Sequence, residues 1–148
     1  MSIELQKIQQ PMLDLTTFRV GDACCGIDIL TVQEINKPAA LTPVPLAPEY
    51  VMGILNLRGQ IITVVDVSTR LGLPSRIATR RQRNIIVQFK NEYIALQVDS
   101  IGDFLRCGRE DIEKTPANIA GIQGRYFTGV IKTQKQLICI LNLDTLLG

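Results

Sequence analysis

Histidine and tryptophan are both absent from the 148 residues of this chain. The lack of histidine excludes catalysis by a Ser-His or Cys-His pair and every metal site with a histidine ligand. Catalysis by lysine or carboxylate side chains remains open, but no group of these residues has the spacing of a catalytic motif. Neither a nucleophile elbow nor a phosphate-binding glycine loop is present. The sequence therefore predicts a protein that is not an enzyme and that needs no metal or cofactor.

The chain also lacks any CxxC pair, the usual sign of a zinc site. Its four cysteines are Cys24, Cys25, Cys107 and Cys139. Adjacent residues of a strand point to opposite faces, so Cys24 and Cys25 are poor disulfide partners for each other. We interpret all four as small apolar residues of strands.

Long apolar runs and a strong net charge are missing as well. No run approaches the roughly 18 residues that a membrane-spanning helix needs, and the first twelve residues have no signal-peptide core. The net charge is only +2, which does not indicate a mainly electrostatic partner such as duplex DNA. The length fits one domain or two very small ones. We expect a cytoplasmic protein with a loosely held tail at residues 1–12 and one domain over residues 13–148.

Arginine is concentrated in one polar stretch, residues 74–84, where Arg76, Arg80, Arg81 and Arg83 crowd together. A single-strand nucleic-acid site needs aromatic residues among the basic ones, and aromatic residues make up only 5% of the chain. We interpret residues 74–84 as a solvated loop. A small nucleic-acid-binding barrel remains an alternative that these arginines alone support.

Short β-type segments separated by turn residues make up most of the chain. Gly21-Asp22 and Lys90-Asn91 are predicted hairpin turns, and Thr133-Gln134-Lys135 is predicted to join the last two strands. Residues 117–125 are predicted to be loop. The predicted strands cover residues 13–20, 24–29, 32–35, 61–67, 84–89, 93–98, 101–105, 126–131 and 137–143.

Four prolines mark residues 37–48, KPAALTPVPLAP. Proline lacks the amide donor that a central strand requires, so an extended surface loop is predicted. The apolar residues between the prolines allow two interpretations: the loop covers its own core, or it docks a partner. Pro48 favours the start of a short helix through Tyr50, with Gly53 as its C-terminal stop.

Residues 50–73, YVMGILNLRGQIITVVDVSTRLGL, contain the densest set of turn signals. Asn56-Leu57-Arg58-Gly59 is predicted to be a turn, followed by a strand over residues 61–67. A helix start at Ser68-Thr69 and a stop at Gly72 complete the unit.

This unit occurs twice. A shift of 76 residues places residues 50–72 on residues 126–148 without a gap and gives seven identities in 23 positions. Composition alone would give about one or two. The predicted hairpins before each unit echo one another as well. The fold class is therefore all-β, with two small units that pack around a shared hydrophobic core, and closed barrels would remove the sheet edges.

The two copies differ at the turn, where Asn56-Leu57-Arg58-Gly59 is replaced by Lys132-Thr133-Gln134-Lys135. Lys135 stands where the first copy has Gly59, which suggests that the fold does not require this glycine. We therefore expect residues 56–59 to serve function rather than folding, and a Lys-Thr-Gln-Lys graft there to leave the melting temperature nearly unchanged.

The stretch GIDILTVQEI at residues 26–35 and the motif at residues 50–73 closely resemble the CheW family of bacterial chemotaxis adaptors. The resemblance extends from about residue 13 to residue 148. It implies two packed five-stranded SH3-like β-barrels with a shared hydrophobic core and a few short helical turns. It also implies a non-enzymatic adaptor that couples the cytoplasmic tips of chemoreceptors to the regulatory domain of the histidine kinase CheA.

Carried over by position, the resemblance implies a receptor-binding groove in which Glu34 and Arg58 lie close together and pair. The alternative is that this ion pair is purely structural. The implied receptor-binding residues are Val32, Glu34, Gly53, Asn56, Arg58 and Gly59.

The resemblance places the kinase contact on an apolar face of the first barrel, and Pro43 and Val44 in the proline-rich loop are the candidates. It implies no nucleic acid, no membrane insertion, and a monomer that joins signalling arrays at membrane receptors. An adaptor for another receptor–kinase pathway, such as twitching motility, is the alternative. The sequence leaves open the receptor, the kinase and the residues of a second array contact.

Overall fold

The computed structural model describes residues 12–74 and 77–148, so residues 1–11 of the tail predicted at residues 1–12, and Arg76, lie outside this part. Met12, the last residue of the predicted tail, begins the first strand. The described residues form twelve strands and two short helices. Short 3-10 turns cover Ile29–Thr31, Arg109–Asp111 and Gly124–Tyr126. The strands are β1 Met12–Val20, β2 Ala23–Asp28, β3 Val32–Asn36, β4 Val51–Leu57, β5 Gln60–Asp66, β6 Arg83–Phe89, β7 Glu92–Val98, β8 Ser100–Gly108, β9 Asn118–Ile119, β10 Ile122–Gln123, β11 Phe127–Lys132 and β12 Leu137–Leu141, and the helices are α1 Val67–Arg70 and α2 Leu143–Leu147.

Ten of these strands form two five-stranded sheets, which confirms the predicted all-β class and strand count. The first sheet has the order β11-β12-β2-β1-β8, and the second has the order β3-β6-β7-β5-β4. Strands β9 and β10 form a separate small hairpin. The closure of each sheet into a barrel stays a prediction.

The two repeat copies exchange strands to build these sheets. The hairpin of the first copy, β1 and β2, pairs with β8 and β12 of the second copy. Reciprocally, the second copy's hairpin, β6 and β7, pairs with β3 and β5 of the first copy. The pairs β2–β12 and β5–β7 are parallel, whereas the neighbouring pairs are antiparallel. Neither copy therefore forms a complete sheet without the other.

The core consists of one cluster that both sheets share and one smaller cluster in each sheet. The shared cluster includes Phe18 and Leu141 from the first sheet and Val65 and Leu96 from the second. The predicted shared core is thus confirmed. Residues adjacent in sequence alternate between clusters, as the period of a strand requires. Examples are Cys24 and Cys25 in the first sheet and Val64 and Val65 in the second.

The repeat is also visible in local contacts. Asp66 caps the first turn of α1 by accepting from the Ser68 amide, and Asn142 caps α2 by accepting from the Thr145 amide. The amides of Asp66 and Asn142 each donate, at 2.8 Å, to the carbonyl of a tyrosine, Tyr50 and Tyr126 respectively. All four residues occupy equivalent positions in the two copies.

Two predictions about local structure were wrong. Residues 48–53 do not form a helix that stops at Gly53. Glu49 and Tyr50 lie in a turn, which the Val51 amide closes by donating to the Pro48 carbonyl at 2.9 Å. Strand β4 begins at Val51, and Gly53 lies at a bulge inside it. Glycine marks strand bulges as well as helix ends, and here the bulge prevails. Residues 117–125 are not loop throughout, because they contain the β9–β10 hairpin.

The arginine-rich stretch agrees with its prediction as a solvated loop. Within the described part of the arginine-rich stretch, Arg80 and Arg81 are exposed, which confirms a solvated loop there, and Arg83 begins β6. In residues 12–74 and 77–148, neither helix is long and apolar enough to cross a membrane.

Candidate functional site

The turn between β4 and β5 has an unusual backbone. Arg58 and Gly59 are its two central residues, because Leu57 and Gln60 on either side are still paired. Both have positive φ, 52° at Arg58 and 83° at Gly59. This is the requirement of a type I′ hairpin turn, which glycine and asparagine meet easily and arginine does not. The Asn56 side chain accepts from the Gly59 amide at 3.0 Å and fixes the turn.

The turn of the second copy is built differently. There the Thr133 amide donates to the Gln136 carbonyl, and neither Gln134 nor Lys135 has a positive φ. Lysine at this position therefore does not show that Gly59 is dispensable, and that inference from the repeat was wrong. A Lys-Thr-Gln-Lys graft would have to change the turn type or place a lysine in the left-handed region.

Arg58 and Glu34 form a bidentate ion pair, which confirms the pairing that the resemblance implied. Arg58 Nη1 donates to Glu34 Oε2 at 2.5 Å, and Arg58 Nη2 donates to Glu34 Oε1 at 3.2 Å. The Arg58 side chain is 74% exposed and the Glu34 side chain 25%. Solvent screening makes such a pair a weak contributor to stability. Its main effect is to hold the Arg58 guanidinium in one orientation at the surface of the protein.

The hydrogen bonds around Glu34 favour its charged form. The bonds from Arg58 lower the pKa of the Glu34 carboxyl most, and a bond of 2.7 Å from Asn36 Nδ2 lowers it further. Asn36 is two residues from Glu34 and thus lies on the same face of β3. The carboxylate is therefore fixed from two sides while the guanidinium keeps donors that face solvent.

A cleft of about 310 Å³ adjoins this pair. Glu34 and Arg58 lie at its polar side, and Ile62 and Ile86 of the second sheet's own cluster form part of its wall. Such a cleft presents a fixed charge pair next to apolar side chains. Its lining residues are Gln33, Glu34, Leu57, Arg58, Gln60, Ile62, Ile86 and Tyr93.

The structure brings four of the six predicted receptor-binding residues together and places two elsewhere. Glu34 and Arg58 pair, while Asn56 and Gly59 bond to each other beside them. Val32 is partly buried and packs against the shared core cluster.

Gly53 is buried under the proline-rich loop. A side chain there would meet the Thr42 carbonyl oxygen at 2.6 Å and Leu41 Cβ at 3.1 Å, and its φ of 149° is unfavourable for other residues. Thr42 pairs with Ile54 next to it, through hydrogen bonds of 2.9 and 2.8 Å. Gly53 thus allows the loop to lie against β4, which is a structural role whether or not a receptor also touches it.

The second copy lacks the ion pair at the equivalent place. Strand β3 pairs with β6 in the same way as β8 pairs with β1, and one bulge interrupts each pair at the equivalent position. Counting from this bulge, Asp103 corresponds to Glu34, and the repeat makes Gln134 the counterpart of Arg58. Asp103 and Gln134 cannot form an ion pair, so the charged site belongs to one copy alone.

The proline-rich loop combines both interpretations that the sequence left open. Leu41 packs against the second sheet's cluster, so that part of the loop covers the core. Pro43 and Val44 face solvent, and Leu46 is fully exposed with a positive φ of 62°. An exposed leucine in a strained conformation was not predicted, because sequence patterns do not reveal which apolar loop residues point outward.

The cysteines do not form a reactive or metal-binding site in the described part of the chain. All four thiols are free and buried, and no group of three or more Cys, Asp or Glu residues there could hold a metal ion. Burial raises the pKa of the Cys139 thiol to about 11 and raises that of Cys25 further.

Sequence reasoning missed Asn36 and Tyr93 at this site. Asn36 could have been found, because it lies two residues from Glu34 and therefore on the same face of one strand. Tyr93 could not, since it reaches the cleft through the pairing of β7 with β6 and β5, which no local pattern encodes.

Comparison with known proteins agrees with this architecture. A CheW-like domain matches residues 14–148. The chain is 36% identical over 132 residues to the chemotaxis protein CheW of Rhizobium meliloti, covering 89% of this chain and 85% of that protein. It is 30% identical over 146 residues to the probable chemotaxis protein CheW of Rhizobium etli, covering 99% and 94% of the two chains.

A solved structure of a CheW protein has a similar fold. The scaffolding protein TtCheW from Thermoanaerobacter tengcongensis superposes with a TM-score of 0.85 at 30% identity, covering 95% of this chain and 91% of that one. The sequence match and the structural match both cover nearly the whole chain. The chain therefore belongs to the CheW family of chemotaxis adaptors.

Proposed function

We propose that this chain couples the cytoplasmic tip of a chemoreceptor to the regulatory domain of a CheA-type histidine kinase, without a catalytic step of its own. Residues 13–148 act as one domain, which is monomeric when free and is recruited from the cytoplasm to receptor arrays. Family membership and the presence of separate candidate surfaces on the second sheet and its proline-rich loop support this proposal. The pathway that it serves depends on the receptor and kinase it meets.

The receptor surface in this proposal centres on the Glu34–Arg58 pair and its cleft. The observation that carries it is a bidentate pair at a strained turn, present in one repeat copy and absent from the other. A non-glycine residue held at positive φ costs stability, and such strain is concentrated at functional sites. The pair sets the charge and shape of the surface, which governs partner choice more than affinity. Asn56 and Gly59 support the turn.

Arg58→Asn tests the receptor surface, because asparagine removes the guanidinium and suits a type I′ turn. We expect unchanged or higher thermal stability and at least tenfold weaker binding to the purified cytoplasmic tip of the cognate receptor. Arg106→Asn is the matched control, since Arg106 forms a similar exposed bidentate pair with Asp14 on the first sheet. Equal loss in both variants, or no loss in Arg58→Asn, would refute the assignment.

The kinase surface in this proposal is the exposed part of the proline-rich loop. Pro43 and Val44 lie there, and Leu46 adds a fully exposed apolar side chain. Exposed apolar groups on a loop anchored by Thr42 form a plausible centre for protein docking because burying them on a partner is favourable.

Leu46→Asn tests the kinase surface without disturbing the backbone, because asparagine tolerates positive φ. We expect weaker binding to the kinase regulatory domain in calorimetry and unchanged binding to the receptor tip. Leu30→Asn is the control, since Leu30 is also largely exposed, at 85%, on a different loop. If Leu30→Asn weakens kinase binding as much as Leu46→Asn, the loop is not the kinase contact.

A further inference from the structure

Four side chains join the two repeat copies at the end of the second sheet away from Arg58. These residues, here called the arginine–tyrosine cluster, are Tyr50, Arg70, Arg125 and Tyr126. Tyr50 precedes β4 and Arg58 follows it, so the seven residues of that strand separate the cluster from the receptor surface by roughly 20 Å. The cluster is thus a separate surface.

Arg70 forms the link between the copies. Its Nε donates to the Leu146 carbonyl at 2.8 Å, and its Nη2 donates to the Thr145 carbonyl at 3.1 Å. Its guanidinium also lies 4.9 Å from the centre of the Tyr50 ring and 5.2 Å from that of Tyr126. Arg70 is therefore held rigidly at the junction.

Arg125 brings a second guanidinium to the same place. Its Nη2 donates to the Tyr126 hydroxyl oxygen at 2.8 Å, and the Arg70 Nη1 donates to that oxygen at 2.9 Å. The two nitrogens are consequently less than about 6 Å apart, each within hydrogen-bond reach of one oxygen. Arg125 also stacks on the Tyr126 ring, 4.4 Å from its centre, and its Nε donates to Gln123.

Every partner of these two arginines in the described part of the chain is neutral. They are backbone carbonyls, a phenol oxygen, an amide oxygen and aromatic rings. The ion pairs found among the described residues, Glu34–Arg58, Asp14–Arg106 and Glu113–Lys132, are all elsewhere. Two like charges held this close attract an anion, and the carbonyls at the end of α2 offset the charge of Arg70 more than that of Arg125.

We propose that the arginine–tyrosine cluster binds a carboxylate side chain from an acidic segment of a partner protein. Arg125 is exposed, and its Nη1 has no partner among the described residues, so donors face outward. Two planar guanidiniums fixed on aromatic rings match a planar carboxylate in charge and shape, and their rigidity limits the entropy lost on binding. The cluster would thus supply an additional protein contact, separate from the receptor surface.

The test uses a blocked hexaglutamate peptide, with blocked hexaglutamine and inorganic phosphate as comparison probes, added to the full chain at low salt. We expect hexaglutamate to shift the Arg125 and Arg70 Nε–H signals in nuclear magnetic resonance spectra in a saturable way. Hexaglutamine should shift neither signal. Raising the salt to 0.3 M should weaken hexaglutamate binding at least tenfold, because the screening length falls below its value of about 10 Å at 0.1 M. Equal effects of both peptides, or tighter binding of phosphate, would overturn the carboxylate assignment.

Arg125→Gln provides the decisive variant, because it leaves the Arg70 link between the copies intact. We expect at least tenfold weaker binding of hexaglutamate and an unchanged melting temperature. Arg109→Gln is the matched control, since Arg109 is also an exposed arginine of a 3-10 turn. Unaltered binding in Arg125→Gln overturns the proposal, and this result is independent of receptor and kinase binding.

Discussion

Glu34 and Arg58 join the two outermost strands of the second sheet. Glu34 lies on β3 and Arg58 directly follows β4, yet these strands are separated by three others in the sheet order. Their side chains can meet only because the sheet curls strongly, with β5, β6 and β7 between them. Ile62 and Ile86 of the second sheet's own apolar cluster line the cleft beside the pair. The ion pair therefore reports on sheet curvature as well as on surface charge.

The titration of Glu34 tests whether this pair persists in solution. Because the bonds from Arg58 and then Asn36 lower its pKa, the carboxylate should titrate below a glutamate in an unstructured peptide. The stabilising effect of a lowered pKa is present above the unfolded value of about 4.3 and is lost as the pH falls through the folded value.

Carbon-detected magnetic resonance of the Glu34 carboxyl measures this titration. In Arg58→Asn the midpoint should move up toward the peptide value, because the largest cause of the lowered pKa is gone. An unchanged midpoint in that variant would show that the pair does not form in solution.

Gly53→Ala should destabilise the protein more than Gly59→Ala. Both glycines have positive φ, but an alanine Cβ at position 53 would lie 2.6 Å from the Thr42 carbonyl oxygen, whereas at position 59 nothing lies within 4 Å. We expect a loss of about 1 kcal/mol for Gly59→Ala from backbone strain alone, and more than about 2 kcal/mol for Gly53→Ala.

Urea unfolding of both variants measures these free energies. Receptor binding then separates the two roles considered for Gly53. If Gly53→Ala retains wild-type stability but loses receptor binding, Gly53 is a contact residue and the structural role given to it here is wrong.

Arg70→Met should loosen the junction of the two copies. Methionine retains much of the apolar stem of arginine but loses three hydrogen bonds and two ring contacts. Bonds from a charged group contribute more than neutral ones, although they do not add, so we expect a loss of about 2 kcal/mol in unfolding free energy.

Arg125→Met is the control for this junction, because the hydrogen bonds of Arg125 within the described residues go to Gln123 and Tyr126, both on its own copy. Its melting temperature should change little. Similar losses in the two variants would indicate that Tyr126, rather than the link between copies, determines the effect.

The sequence predicted most strands and the shared core because both depend on local alternation and on the internal repeat. Alternation placed Cys24 and Cys25 on opposite faces, and they do pack in different clusters. The exchange of strands between copies could not be predicted in this way. Alternation shows which face of a strand is apolar but does not identify the strand that pairs with it.

The residues of the candidate site were less predictable from local sequence patterns than the strands were. The Glu34–Arg58 pair followed from resemblance to a family and not from spacing, since 24 residues separate the two in the chain. The sequence does not reveal a role for Arg70, because it resembles an ordinary basic residue at a helix end and its hydrogen-bond partners lie 56 to 76 residues later. The sequence predicts a helix end at Gly53, because a glycine at a bulge and one at a helix stop look alike in sequence.

The four cysteines should be unreactive in the native protein at neutral pH. A thiol reacts as its thiolate, and desolvation by burial raises the pKa of Cys139 to about 11 and also raises the pKa values of Cys24, Cys25 and Cys107. At pH 7.5 fewer than about one in a thousand Cys139 thiols is then ionised, and its burial blocks access as well.

A timed reaction with a chromogenic disulfide measures this protection. We expect less than one thiol per chain to react within minutes at pH 7.5, and all four to react in guanidinium chloride. Cys24 and Cys107 each retain 8% exposure, whereas Cys25 and Cys139 retain 0% and 1%, so any slow native reaction should begin at the first two. Fast native labelling of Cys25 or Cys139 would mean that β2 and β12 separate readily, and the parallel pairing between the two copies would then be a weak part of the fold.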